Sequence, residues 1–155
     1  MKPRIDLARD PKFFRPLLAI EALIESSGLE HKLLHLVKMR ASQINGCAYC
    51  LDMHSKDARA DGETEQRLYS LEGWREAPFY SDRERAALEW TEAVTLVATT
   101  RAPDEAYEAV RAQFSEEELK TLTLAIGMIN VWNRLNVAFR TVSGNYKPGM
   151  FKAAS

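Results

Sequence analysis

The sequence predicts an all-α fold, and three observations carry that expectation. Apolar residues recur at helical spacing through nearly the whole chain, recognisable helix starts precede several of these runs, and no segment alternates with period 2 between hairpin turns. The chain has 155 residues, 46% of them hydrophobic and 28% charged, which is the size of one ordinary domain. Residues 1–155 therefore read as a single helical domain of about six to eight helices, with no linker and no low-complexity tract.

The elements follow in order. Asp10 before Pro11 is an N-cap with proline at the first helical position, opening a helix to about Ser27 that carries Phe13, Leu17, Ile20 and Ile24. Gly28 ends it. A second helix spans about Glu30 to Ile44, with Leu33, Val37, Ala41 and Ile44 on one side, and Asn45-Gly46 breaks it. A third starts near Gly46 or Cys47 and stops at Asp61-Gly62, and a short amphipathic piece covers about Glu63 to Leu71. Ser81-Asp82-Arg83-Glu84 is a capping box for a helix bearing Ala86, Trp90, Ala93, Val94 and Val97, continuing through the β-branched stretch to Thr100. Pro103 begins a short helix ending near Phe114. Ser115 to Glu118 is a second capping box, opening the longest helix, roughly Glu116 to Val142, apolar around most of its circumference.

Composition narrows the function. With 21 basic against 22 acidic residues the formal net charge is -1, without the basic excess or stripe of a nucleic-acid binder. No signal peptide is read at the N-terminus, and no run approaches the roughly 20 apolar residues that cross a bilayer. The expectation is a soluble, cytoplasmic protein that engages neither nucleic acid nor membrane.

The two cysteines stand three positions apart, and in a reducing cytosol such a pair points to redox chemistry or metal binding. At 100° per residue Cys47, Cys50 and His54 share an arc of about 60° on one helix face. Asn45-Gly46 puts Cys47 near a helix start, where free N–H groups and the dipole favour a thiolate. Thiols at i and i+3 there can close a disulfide with little backbone movement, and His54 can exchange a proton with Cys50. An antiparallel preceding helix can carry His35 back over the pair. Two rivals stand beside the redox reading: a pair of buried core thiols, and a zinc site built from Cys47, Cys50, His54 and His35. Trp90 and Trp132 read as core or interface aromatics, and Lys38 and Arg40 as a solvated face. Asn130, Asn133, Arg134 and Asn136 read as a network across a subunit interface, and the tail from Asn145 to Phe151 as a segment that docks on a neighbour.

The stretch Ser42-Gln43-Ile44-Asn45-Gly46-Cys47-Ala48-Tyr49-Cys50-Leu51-Asp52-Met53-His54 resembles the core motif of the AhpD-like alkylhydroperoxidase family, within the carboxymuconolactone decarboxylase superfamily. The Trp-bearing helix after Ser81 and Trp132-Asn133-Arg134-Leu135-Asn136-Val137 fit the same pattern. The resemblance implies an AhpD-like helical domain, assembly into trimers or hexamers, and thiol-dependent reduction of a small hydroperoxide. It implies a thiol or lipoyl-type reductant and no further cofactor or metal. In that family the second cysteine, here Cys50, becomes the sulfenic acid, the first, here Cys47, resolves it, and the histidine four beyond, here His54, joins the proton relay. The family's glutamate twelve residues before the first cysteine is His35 here, and Tyr49 stands where some members carry a second histidine. Both departures touch the relay and neither touches the thiols. The decarboxylase branch does not rely on a Cys-x-x-Cys pair. The competing function is a non-enzymatic helical oligomer whose cysteine pair senses oxidants or binds metal.

Overall fold

A computed structural model describes residues 2–6 and 9–151. Among them are eight α-helices and no strand: α1 (Pro11–Glu25), α2 (His31–Ile44), α3 (Ala48–Ala60), α4 (Glu65–Tyr69), α5 (Asp82–Thr95), α6 (Val97–Thr100), α7 (Asp104–Arg111) and α8 (Glu116–Phe139), with a 3-10 turn at Leu71–Gly73. The all-α expectation holds, and most boundaries fall where local chemistry puts them. The Asp10 carboxylate accepts from the N–H groups of Lys12 and Phe13 ahead of Pro11. Ser81 and Ser115 each close a capping box, with Glu84 and Glu118 reaching back to the cap N–H.

Several boundaries differ from the sequence reading: α4 is shortened to Glu65–Tyr69, α7 ends at Arg111 and not near Phe114, and two further differences have a visible local cause. The helix from Ser81 breaks at Leu96 (φ -98°, ψ 26°), and a separate turn, α6, carries Val97 to Thr100. β-branched residues at 94, 95, 97, 99 and 100 crowd the helical rotamers there. At the other end, α8 stops at Phe139, because Arg140 turns left-handed (φ 58°, ψ 50°).

Helix α2 is the centre of the fold, packed on α3, α5 and α8, while α5 also meets α7 and α8, and α1 lies on α8. Its Leu33, Leu34 and Val37 join Ile24, Trp90, Leu122 and Ile126 in the main core. Leu36 and Met39 face a second cluster with Leu68, Leu71, Trp74 and Leu88. A helix apolar on two sides cannot be a surface helix, which is why α2 is central. A third, small cluster joins Ala41 of α2, Cys47 and Cys50 of α3, and Ile129 of α8. None of the helices among the described residues is long and apolar enough to cross a membrane.

Candidate redox site

The site begins at the α2–α3 turn. Asn45 ends α2, Gly46 adopts a left-handed φ of 64°, and two backbone bonds close the corner, Gly46 N–H to Gln43 O at 3.2 Å and Cys47 N–H to Ser42 O at 3.0 Å. This is a Schellman ending, and the glycine is what permits it. Cys47, the residue tied back to α2, is also the N-cap of α3. Its Sγ accepts from the N–H of Cys50 at 3.3 Å. The sulfur takes the place of a serine or aspartate oxygen at the cap, so the helix start works directly on it.

Cys47 and Cys50 are joined as a disulfide, with Cα atoms 5.4 Å apart, and both are buried. The amide of Asn136 on α8 donates to Sγ of Cys50 at 3.5 Å. Around the corner runs a polar network: Asn45 donates to both Asn130 and Asn133 at 2.9 Å, Asn133 donates to Ser42 at 3.0 Å, and Asn130 donates to Thr95 at 3.0 Å. These amides, expected at a subunit interface, find their partners inside one chain. Satisfied polar groups of this kind, Ser42, Thr95 and Asn133 buried and Asn45 and Asn130 half-buried, pin the turn that presents Cys47.

His54, one turn beyond Cys50, is buried at 7% exposure. Burial, with the charges of Lys38 and His35 nearby, holds it well below the ordinary histidine range, so the imidazole is neutral at neutral pH. His35 is elsewhere engaged: its Nε2 meets Oδ2 of Asp61, the C-cap of α3, at 2.7 Å. The antiparallel α2 does bring His35 to α3, but to the far end of that helix. Its charge is felt at His54, while its hydrogen bond goes to Asp61 and not to a thiol.

Lys38 is a correction. It is not on a solvated face but buried at 5% exposure, with Nζ 3.0 Å from both Glu21 and Glu25 of α1. Burial opposes its charge, yet the two carboxylates outweigh that and hold the ammonium above the ordinary lysine range. Glu21 also accepts from Nε1 of Trp132 at 2.8 Å. Arg40, likewise read as solvated, pairs with Glu92 at 2.9 Å across the α2–α5 contact. The signal for Lys38 was its spacing, four residues from both Leu34 and Ser42, two buried positions of α2. No such signal existed for Asp61 or for Asn136 as a sulfur ligand.

Among the described residues no group of three or more His, Cys, Asp or Glu side chains is placed to hold a metal ion. The C-terminal tail docks on its own chain: Tyr146 donates to Asp57 at 2.8 Å and Lys56 donates to Tyr146 O at 3.1 Å. A surface cleft of about 720 Å³ between α2, α3 and α4 has neither cysteine nor histidine in its wall. A smaller one of about 400 Å³ opens on Cys47.

Known proteins share the sequence family and the helical fold. The family model of the carboxymuconolactone decarboxylase family matches residues 11–93, which include both cysteines and His54. The uncharacterised protein YdfG of Bacillus subtilis (strain 168) is 45% identical over 128 residues, spanning 83% of this chain and 87% of its own. A crystal structure from Agrobacterium tumefaciens, a protein of unknown function provisionally described as the antioxidant defence protein AhpD, superposes with a TM-score of 0.90. It is 50% identical and the match covers 94% of this chain and all of that one. The debrominase Bmp8 shares the fold at a TM-score of 0.77 and 20% identity, over 89% of this chain and 74% of its own. Sequence match over more than half of the chain, the helical fold and the Cys-x-x-Cys turn together make this protein an AhpD-like member of the carboxymuconolactone decarboxylase family.

Proposed function

We infer that the protein is a thiol-dependent peroxidase of the cytoplasm, in which Cys50 reduces a hydroperoxide and Cys47 resolves the product. The observation that carries this reading is the disulfide at the start of α3, closed within one turn beside a buried neutral imidazole. In the reduced state, His54 takes the proton of Cys50 and the thiolate attacks the outer peroxide oxygen. The O–O bond breaks, Cys50 becomes a sulfenic acid, and the proton returns to the departing alkoxide as an alcohol. Cys47 then attacks Sγ of Cys50, forming the disulfide and releasing water. Two thiol equivalents restore the pair. Asn136 steadies the Cys50 thiolate by its N–H, and His35, paired with Asp61, biases His54 from a distance.

The same reading includes a homo-oligomer, a trimer or hexamer. Leu23 of α1, Val131 of α8 and Val137 of α8 are 61%, 39% and 48% exposed, and the long apolar helix α8 keeps a face without cover. Sedimentation at micromolar concentration is expected to show an assembly, and a monomer counts against it.

The test is peroxide consumption with a dithiol reductant, together with thiol mapping. Cys50→Ser is expected to abolish turnover, and Cys47→Ser to leave Cys50 trapped as a sulfenic acid. A sulfenate probe labelling Cys47 in active Cys50→Ser protein reverses the assignment. No consumption by the wild type, with a reversible disulfide, favours an oxidant sensor instead.

A further inference from the structure

The cleft above the disulfide has a composition of its own. It lies where the α2–α3 turn meets the last turn of α8, and its wall includes Gly46, Cys47 and Tyr49 opposite Asn136 and Arg140, with Arg4 at its edge. Cys50 is not part of that wall, so the sulfur at the floor of the cleft is Cys47, which is only 1% exposed and is reached through the cleft alone. Two arginines line it and no aspartate or glutamate does.

Of the two arginines, Arg4 is tied down by hydrogen bonds. The N-terminal segment is stitched across the end of α8, with Arg4 N–H donating to Phe139 O at 2.9 Å and the Arg4 guanidinium to Ala138 O at 3.1 Å. Arg140 is exposed and takes part in no ion pair among the described residues. It also occupies a left-handed position (φ 58°), where glycine or asparagine is the less strained choice. An arginine without an ion pair, in a cleft that carries no carboxylate, is a reason to look for an anion. The dipole at the start of α3 adds positive potential of the same sign.

We propose that this cleft admits the reductant and selects a thiol that bears a carboxylate, the anion resting between Arg4 and Arg140 while the sulfur attacks Sγ of Cys47. This rests on the reading that the Cys47–Cys50 pair turns over. The incoming thiolate forms a bond to Cys47 and breaks the Cys47–Cys50 bond, and the electron pair leaves on Cys50, beside the Asn136 N–H. A second molecule of the thiol attacks the outer sulfur of the mixed disulfide and frees Cys47. Two protons end on the two cysteines, and the two thiols leave as one disulfide, so two electrons pass to the protein.

The experiment measures reduction of the oxidised protein without peroxide, using 3-mercaptopropionate and uncharged 2-mercaptoethanol. Each rate is divided by that thiol's rate with a small uncharged disulfide, which removes differences in acidity and nucleophilicity. The ratio is expected to favour 3-mercaptopropionate about tenfold at low salt, about threefold from each arginine, and to shrink as salt rises. Arg140→Gln lowers the ratio to about threefold and Arg4→Gln with Arg140→Gln brings it near one, while Arg140→Lys keeps most of it. A ratio near one in the wild type, or one that the arginine substitutions leave unchanged, overturns the proposal. A disulfide that neither thiol opens overturns the proposal and the reading beneath it together. In a second arm, the reduced protein is given a carboxylate-bearing and an uncharged hydroperoxide. A charge preference there, and not in the first arm, assigns the anion to the peroxide and also overturns the proposal.

Discussion

The side-chain N–H of Asn136 meets Sγ of Cys50 at 3.5 Å, joining the last third of the chain to the second cysteine across 86 positions. In the reduced protein that donor favours the thiolate over the thiol, because a hydrogen bond to a charged acceptor is worth roughly 1.5–3 kcal/mol. Asn136→Ala is therefore expected to raise the Cys50 pKa by about one unit or more and to slow peroxide consumption near neutral pH by about tenfold. Ultraviolet thiolate titration and the pH–rate profile read both effects. An unchanged titration shows that the contact does not act on the thiol.

Lys38 joins α1 to the site. Removing a buried cation leaves its carboxylates facing one another, which costs about 3–5 kcal/mol in a fully buried pair. Glu25 is 46% exposed and can turn to water, so about 2–3 kcal/mol is expected for Lys38→Met, with part recovered by adding Glu21→Gln. Denaturant unfolding measures this. The same substitution removes a positive neighbour from His54, whose titration followed by NMR is expected to move upward.

His54 sets a pH dependence. Its folded pKa lies below its unfolded value, so between the two the unfolded chain binds more protons and stability increases with pH. Stability is expected to fall as pH drops below about 6.5, by at most about 1.4 kcal/mol per pH unit from this group. His54→Gln is expected to flatten that part of the curve. The Glu25 carboxylate, held low because Lys38 overcomes its burial, and that of Glu92, held low because hydrogen bonds from Trp74, Arg75 and Arg40 overcome its burial, act in the same direction only below the ordinary glutamate range. Peroxidase activity is likewise expected to keep its base to below pH 6.5 or so, and an acid limb at the ordinary histidine value assigns the base elsewhere.

His35 stands where the sequence resemblance places a glutamate, and its neighbour changes what His35→Glu does. With Asp61 Oδ2 at 2.7 Å, His35→Glu places two carboxylates together. It is expected to destabilise the protein by about 1 kcal/mol, discounted because Asp61 is 36% exposed, and Asp61→Asn is expected to restore the loss. Full stability of His35→Glu alone argues against the pair. In the activity assay, superimposable pH–rate profiles for wild type and His35→Ala remove His35 from any relay.

What the sequence made legible was local. Asp10, Ser81 and Ser115 announce their helices because a cap acts within three residues, and Cys47, Cys50 and His54 share a face because one helix carries them. The His35–Asp61 and Asn136–Cys50 contacts span 26 and 86 positions, and helical spacing carries no information about which helix faces which. Lys38 was misread because lysine usually stays in water, and only its two glutamates on another helix make the buried position tenable. The sequence puts the asparagines of α8 at a subunit interface, because polar groups so dense on one helix need partners. Their partners are Ser42 of α2, Asn45 just beyond its end and Thr95 of α5, which the tertiary fold brings together.

The disulfide bridges residues only three apart, so it closes a very small ring. Chain-entropy arguments give such a ring about 2 kcal/mol, well under the value for a bond that ties distant segments. Meanwhile the corner that carries it is secured without sulfur, by the Schellman bonds, the asparagine network and the tail on α3. Oxidised and reduced protein are therefore expected to melt within several degrees of each other. The pair can store and release two electrons while the scaffold stands still, as a battery contact opens and closes in a rigid case.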